Sequence, residues 1–342
     1  MQNDYFTLMQ KLAPDLAQQI ERRALVLERI GALQPVGRRL LATRLNLPER
    51  EIRTVAALLK EHGLVSLDAA GMSLTHEADE ILPTARLFSR DLRGLTQLET
   101  ELSELLQVPK VCVVAGDVDL DAHVLHEVGR NAGTRIRGFL QSGSTLAVTG
   151  GSTIHEVAFS IVQGAPMNVM VVPARGGIGK AIETQANTVA CELAKRLGGH
   201  HRMMHLPDHL DEQALLEMRK LKEIDETLAL LERADVVLHG IGRADDMAQK
   251  RQLPDSVEAD VLDKKGAVAE AYGCYFNRVG KLVYSASTVA HDLGVLKPNC
   301  AMIAVAAGTR KAEAIVAVMK NRRHAMLVTD EGAAKAILNL PQ

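Results

Sequence analysis

The sequence is 342 residues long, 47% hydrophobic and 24% charged, the composition of a folded chain of roughly two domains. Its 40 Lys and Arg nearly balance 42 Asp and Glu, leaving −2, a total that argues against nucleic acid as a partner. Five Phe, four Tyr and no Trp leave little to stack single-stranded bases, and no run of about 18 apolar residues offers a membrane span. The N-terminus has no signal-peptide pattern, and the scattered Cys112, Cys191, Cys274 and Cys300 fit neither a zinc ribbon nor a disulfide framework. A cytoplasmic protein is expected.

The total hides a segregation of charge. Residues 18–60 hold nine basic side chains against Glu21, Glu28, Glu49 and Glu51, a local excess of +5. The same stretch predicts three helices. One runs over about 15–33 and stops near Gly31 and Pro35. A second starts near Gly37, and the turn Asn46–Leu47–Pro48 leads to a third that ends at Gly63. On the third helix Ile52, Ala56 and Leu59 share one face and Arg50, Arg53, Thr54 and Ala57 the other. Long guanidinium groups beside small residues suit a helix entering a major groove. Residues 64–67 and 72–75, joined by a turn at 68–71, read as a short β-wing, so residues 1–83 are expected to form a winged helix-turn-helix. Arg38 and Arg39 would meet phosphates, with Arg50, Arg53 and Thr54 nearer base edges. An amphipathic hairpin with solvated arginines is the plainer alternative.

Residues 84–107 form a leucine-bearing linker helix with Gly94 at its middle. It fits a coiled-coil seam and a helix packed on a domain equally well. From 108 to 342, apolar runs alternate with helical stretches. Candidate strands at 111–115, 145–149, 168–172, 236–239, 302–306 and 325–328 predict an α/β, doubly wound, mostly parallel sheet.

Three of its strand ends carry anion-binding chemistry. Gly150–Gly151–Ser152–Thr153 places glycines and hydroxyls at a helix start, where free N–H groups point at a ligand. Pro173–Ala174–Arg175–Gly176–Gly177 is followed by Gln185 and Asn187. Ala307–Gly308–Thr309–Arg310–Lys311 adds two cations. Such ends converge on the carboxyl edge of a parallel sheet, so a small phosphorylated sugar is the expected ligand. His200, His201, His205 and His209 make a weak metal candidate, Asp245 and Asp246 a helix cap, and Glu270 a general base without an evident partner.

These motifs, with 35–39 (PVGRR), 246–251 (DMAQKR) and 266–277 (GAVAEAYGCYFN), resemble the SorC/DeoR-type family of bacterial sugar-phosphate-responsive transcriptional repressors over nearly the whole chain. The resemblance implies an effector and oligomerisation domain similar in fold to the glucosamine-6-phosphate deaminase and ribose-5-phosphate isomerase group. It also implies a homo-oligomer, dimeric and then tetrameric on double-stranded operator DNA, that represses a glycolytic operon. Fructose-1,6-bisphosphate would be the inducer, with no cofactor, metal or catalytic residue. By motif, Gly150, Gly151, Ser152, Thr153, Arg175, Gln185 and Lys311 would hold one phosphate, and Arg251 and Glu270 the other phosphate and the sugar hydroxyls. A sugar-phosphate isomerase or deaminase with an appended regulatory domain is the alternative.

Overall fold

A computed structural model describes residues 8–9, 11–45, 47–177, 181–207, 210, 212–285, 296–320 and 324–341; Asn46 and His209 of the readings above lie outside them. The chain divides into two compact units, residues 1–97 and 98–342. No described helix is long and apolar enough to cross a membrane.

In the first unit, α1 (Pro14–Leu33), α2 (Arg38–Leu45) and α3 (Glu49–Glu61) precede an antiparallel hairpin of β1 (Val65–Leu67) and β2 (Met72–Leu74). Val26, Leu27 and Ile30 of α1 pack with Leu41, Ile52, Ala56, Leu59, Val65 and Met72 in one core. Each such aliphatic side chain contributes about 1.5–3 kcal/mol on burial. The Asp68 carboxylate closes the hairpin turn by accepting from the N–H of Ala70 at 2.8 Å and of Gly71 at 3.0 Å. Val36 exchanges backbone hydrogen bonds with Met72, which ties the segment before α2 to the hairpin. α4 (His76–Leu92) follows, capped by the Thr75 hydroxyl. The chain then turns at Gly94, φ +70°, into α5 (Leu95–Leu106). The expected linker is therefore two helices. The expected boundary at 83/84 falls inside α4, whereas the two units divide after Gln97.

The second unit is built on seven strands in the order β3-β13-β12-β7-β4-β5-β6, every pairing parallel. They are β3 (Lys110–Val114), β4 (Thr145–Val148), β5 (Met170–Pro173), β6 (His200–His201), β7 (Val236–Gly240), β12 (Ala301–Val305) and β13 (His324–Asp330). α6 (His123–Ile136), α7 (Ser152–Ser160) and α8 (Ala186–Leu197) cover one face, against Cys112, Leu146, Val148, Val171, Leu238, Ile303 and Val328. The alternate residues Val113, Ala147, Val172, Val237, Ala304 and Leu327 are also buried, so the strands are covered on both faces. Of the remaining helices, α9 (Glu212–Met218) precedes α10 (Lys222–Glu232), which contacts β4 and β5.

Beyond β7 the chain leaves the main sheet for a four-stranded antiparallel one, β11-β10-β9-β8. Its strands are β8 (Gly242–Arg243), β9 (Ala267–Ala271), β10 (Cys274–Asn277) and β11 (Leu282–Ser285), with α11 (Ala244–Arg251) and α12 (Asp255–Ala259) between the first two. α13 (Ala312–Met319) and α14 (Glu331–Leu338) complete the described α-helices of this unit. Inside the unit, His239 and His324 share a hydrogen bond of 3.0 Å between their Nε2 atoms. The Tyr272 hydroxyl lies 3.3 Å from His324 Nε2. Burial pushes both imidazole pKa values down, that of His324 to about 4.

Candidate functional site

In the N-terminal unit, α3 turns Ile52, Ala56 and Leu59 inward and leaves Arg50, Arg53, Thr54 and Ala57 exposed, the division that the spacing predicts. Arg38 and Arg39 open α2 and are exposed as well. The Thr54 hydroxyl donates to the Arg50 carbonyl at 3.1 Å, and the pair of Arg22 with Glu51 holds α1 to α3. The hairpin has no Lys or Arg from Leu64 to Thr75. Among the described residues from Arg22 to Thr75, the exposed cations therefore lie on α2 and α3.

In the second unit, β4, β5 and β6 step outward in one direction, while β7, β12 and β13 step the other way. The reversal lies between β4 and β7, and crevices at such a reversal are where open α/β sheets bind ligands. The Thr149 N–H donates to the Leu238 carbonyl at 3.1 Å, and its hydroxyl accepts from Gly240 N–H at 3.3 Å. A Cβ on Gly150 would collide with the Thr184 carbonyl, which accepts from Gly151 N–H at 2.8 Å. Gly151 has φ +110°, and no side chain caps α7. The hydroxyls of Ser152 and Thr153 have no protein partner among the described residues, although Thr153 is only 7% exposed. Uncapped N–H groups and two unused hydroxyls at a helix start form an anion cradle.

The backbone of Gln185, just before α8, lies against Gly150, and its Oε1 would lie 3.3 Å from a Cβ on Gly177 of the second turn. Arg175 is 8% exposed and does not point to solvent. The Glu270 Oε1 accepts from Arg175 Nη1 at 3.2 Å, from Arg251 Nη2 at 2.9 Å and from Gly273 N–H at 2.6 Å. The structure thus brings Arg175, Arg251 and Glu270 together as one buried ionic cluster, which the sequence reading had split between two phosphates. All three bonds converge on the one oxygen, Oε1.

The third turn corrects an expectation, because its backbone is not an open cradle. Gly308 N–H donates to both Asp330 oxygens at 3.0 Å. Thr309 donates to Asp117 through N–H at 3.3 Å and its hydroxyl at 2.6 Å. Arg310 binds Asp119 through N–H at 2.8 Å and Nε at 3.1 Å. Of the turn's two cations, only Lys311 has no carboxylate partner within ion-pair distance among the described residues. Burial, reinforced by repulsion from Lys250, holds its pKa below the ordinary lysine value, against the pull of Asp119, Asp246 and Asp330. One strand, β7, separates this turn from the cradle, two inter-strand spacings or about 10 Å.

Burial raises the Asp330 pKa, although its carboxylate also accepts from Val118 N–H at 2.8 Å and Ala333 N–H at 3.0 Å. These three aspartates are the site residues that the sequence reading missed. The spacing Asp117-x-Asp119 after a strand is the sequence signal for two of them. Asp245 pairs with Arg243 at the start of α11. His200, His201 and His205 are exposed, and no metal-holding cluster occurs among the described residues.

Comparison with known proteins connects the two units. A family profile described as a sugar-binding domain matches residues 90–339, and one for the N-terminal DNA binding domain of CggR matches residues 20–87. The chain is similar to the central glycolytic genes regulators of Priestia megaterium (38% identical, 97% of each chain) and Bacillus subtilis (36% identical, 98% of this chain and 99% of that one). Among solved structures it is similar to a SorC family transcriptional regulator from Enterococcus faecalis, at 36% identity and TM-score 0.66, over 71% of this chain and 100% of that one. The full-length sorbitol operon regulator SorC from Klebsiella pneumoniae, 17% identical, shares the fold over 94% of this chain and 99% of that one at TM-score 0.65. A DNA-binding unit and a sugar-binding unit on one chain define a ligand-responsive transcriptional regulator rather than an enzyme. The chain belongs to the SorC family of transcriptional regulators.

Proposed function

We propose that this regulator represses a glycolytic operon and is released from its operator by a sugar phosphate, with fructose-1,6-bisphosphate the leading candidate. The observation that carries the reading is the unpaired donor set of Ser152, Thr153 and the desolvated Lys311 along one edge of the parallel sheet. The names of the relatives supply the glycolytic context. One phosphate lies on Gly150, Gly151, Ser152, Thr153 and Gln185, and Lys311 reaches it from the far side of β7. Arg175, Arg251 and Glu270 meet the remainder of the sugar. The effector unit resembles the glucosamine-6-phosphate deaminase and ribose-5-phosphate isomerase group in its fold.

The first unit works as a winged helix-turn-helix, with α3 in the major groove. Arg38 and Arg39 meet phosphates, while Arg50, Arg53 and Thr54 face base edges. The regulator acts in the cytoplasm as a homo-oligomer, dimeric and then tetrameric on DNA, with residues 1–83 for DNA, 84–107 as connector and 108–342 for effector and assembly. Ligand and DNA are linked, so the factor by which the sugar phosphate weakens operator affinity equals the factor by which operator weakens the sugar phosphate.

The test uses the full-length protein, a thermal-shift titration with fructose-1,6-bisphosphate and an anisotropy assay on operator DNA. A ligand at a hundred times its Kd stabilises the folded state by about 2.7 kcal/mol. Thr153→Ala and Lys311→Ala are expected to bind DNA yet ignore the ligand. Arg50→Ala with Arg53→Ala should bind ligand but not operator. Normal induction in both ligand-site variants, or joint loss of both activities in the arginine variant, refutes the reading.

A further inference from the structure

The exposed face of α3 carries charges of the wrong sign for DNA at both ends, Glu61 in its last turn and Glu49 in its first. Glu49, the first residue of the helix, has Oε2 3.6 Å from Arg39 Nε on α2 and Oε1 4.0 Å from Arg53 Nη2 one turn on. Its carboxylate thus joins a side chain proposed to meet phosphate with one proposed to meet bases. Glu51, two residues along, is already taken by Arg22. Arg38 and Arg50 have no carboxylate within ion-pair distance among the described residues, so the acid is spent on two of the four cations only.

A carboxylate in the first turn suits the helix N-terminus, but that does not call for pairing it with two arginines proposed to face DNA. Glu49, Arg39 and Arg53 have side chains 39%, 92% and 63% exposed, and pairs so exposed contribute little to folding. Against a duplex, the same carboxylate faces phosphates and lowers affinity wherever it finds no donor. The first residues of a recognition helix stand next to base edges. In the major groove a carboxylate is matched by the N4 amino group of cytosine.

We propose that Glu49 is a specificity-determining residue of the DNA interface. At a cognate site it accepts from a cytosine amino group while Arg39 and Arg53 turn to the DNA. On other sequences it keeps its two arginines and repels the backbone, a device that weakens wrong complexes more than it strengthens the right one. The inference rests on the placement of α3 in the major groove.

The experiment selects binders from a randomised duplex pool with full-length wild-type protein and with Glu49→Gln, then measures the Kd of each for the wild-type-selected duplex and for a random duplex at one salt concentration. Wild type is expected to enrich a cytosine that the variant no longer enriches. The variant should bind the random duplex several-fold tighter, and its selected-to-random ratio should fall about tenfold. An unchanged consensus overturns the proposal. So does tighter random binding with unchanged base preference, because Glu49 would then act on phosphates alone. A parallel selection with Arg50→Ala and Arg53→Ala separates the two levels. If that variant still enriches the wild-type consensus, α3 is not the reading helix, and the reading and the inference fall together.

Discussion

Replacing Glu270 by Gln removes a negative charge shared by two buried guanidinium groups. Arg175, Arg251 and Glu270 are 8%, 5% and 4% exposed, and one carboxylate oxygen serves both cations and the Gly273 N–H. Taking these charges from water offsets much of their attraction, so the intact cluster adds little net stability. Breaking it is another matter: removing one partner from a buried pair typically costs about 3–5 kcal/mol, because the remaining charge stays buried uncompensated. A domain of this size loses roughly 2–4 °C in Tm per kcal/mol, which predicts a fall of about 6–20 °C. The assay is calorimetry on the full-length protein, where the two units need not melt as one transition; the shift belongs to the transition of residues 98–342. A double-mutant cycle with Arg251→Met tests the cause, since the second substitution should cost less once the first is made. A Tm change below about 2 °C, or strictly additive costs, would refute the claim that these charges are desolvated and coupled.

Gly151→Ala should cost about 1–3 kcal/mol, because φ +110° and ψ 158° lie where side chains are strained, and it should abolish the thermal shift caused by sugar phosphate. Acid should destabilise the second unit through its buried imidazoles. His324 titrates near 4 when folded against 6.5 unfolded, so the unfolded chain binds more protons between those values. Stability is then lost as pH falls through that window, by about 3 kcal/mol for this group. His324→Gln should flatten the dependence of the denaturation midpoint on pH; an unchanged slope would show that the imidazole is not the titrating group.

Much of this architecture could be read from local pattern. The three N-terminal helices, the hairpin and the six longer strands of the main sheet carry period-3.6 or apolar signals strong enough to survive folding unchanged. β6 escaped notice because it is two exposed histidines at a sheet edge. All four strands of the small sheet escaped; Gly242–Arg243 and the alanine-rich β9 have little β propensity, which pairing within that sheet overrides. The glycine and hydroxyl turn at 150–153 was legible since its chemistry is local. The fate of the turn at 308–310 was not. Its partners Asp117 and Asp119 stand about 190 residues earlier, and no spacing rule reaches that far. The Arg175–Arg251–Glu270 cluster likewise joins three elements that only the tertiary fold makes neighbours.

The place of β13 has a consequence for how the sensor comes into being. This strand supplies Asp330 to the Lys311 turn, and it lies between β3 and β12 as the one sheet partner of β3 among the described residues. During synthesis β3 therefore waits for more than two hundred residues before anything pairs with it. Contacts of such separation are slow to form and leave an apolar edge open meanwhile. The N-terminal unit, complete within its own first hundred residues, has no such delay. A nascent or C-terminally clipped chain would carry the DNA-binding unit without a finished ligand-responsive one, so completion of the final strand is what joins the two activities.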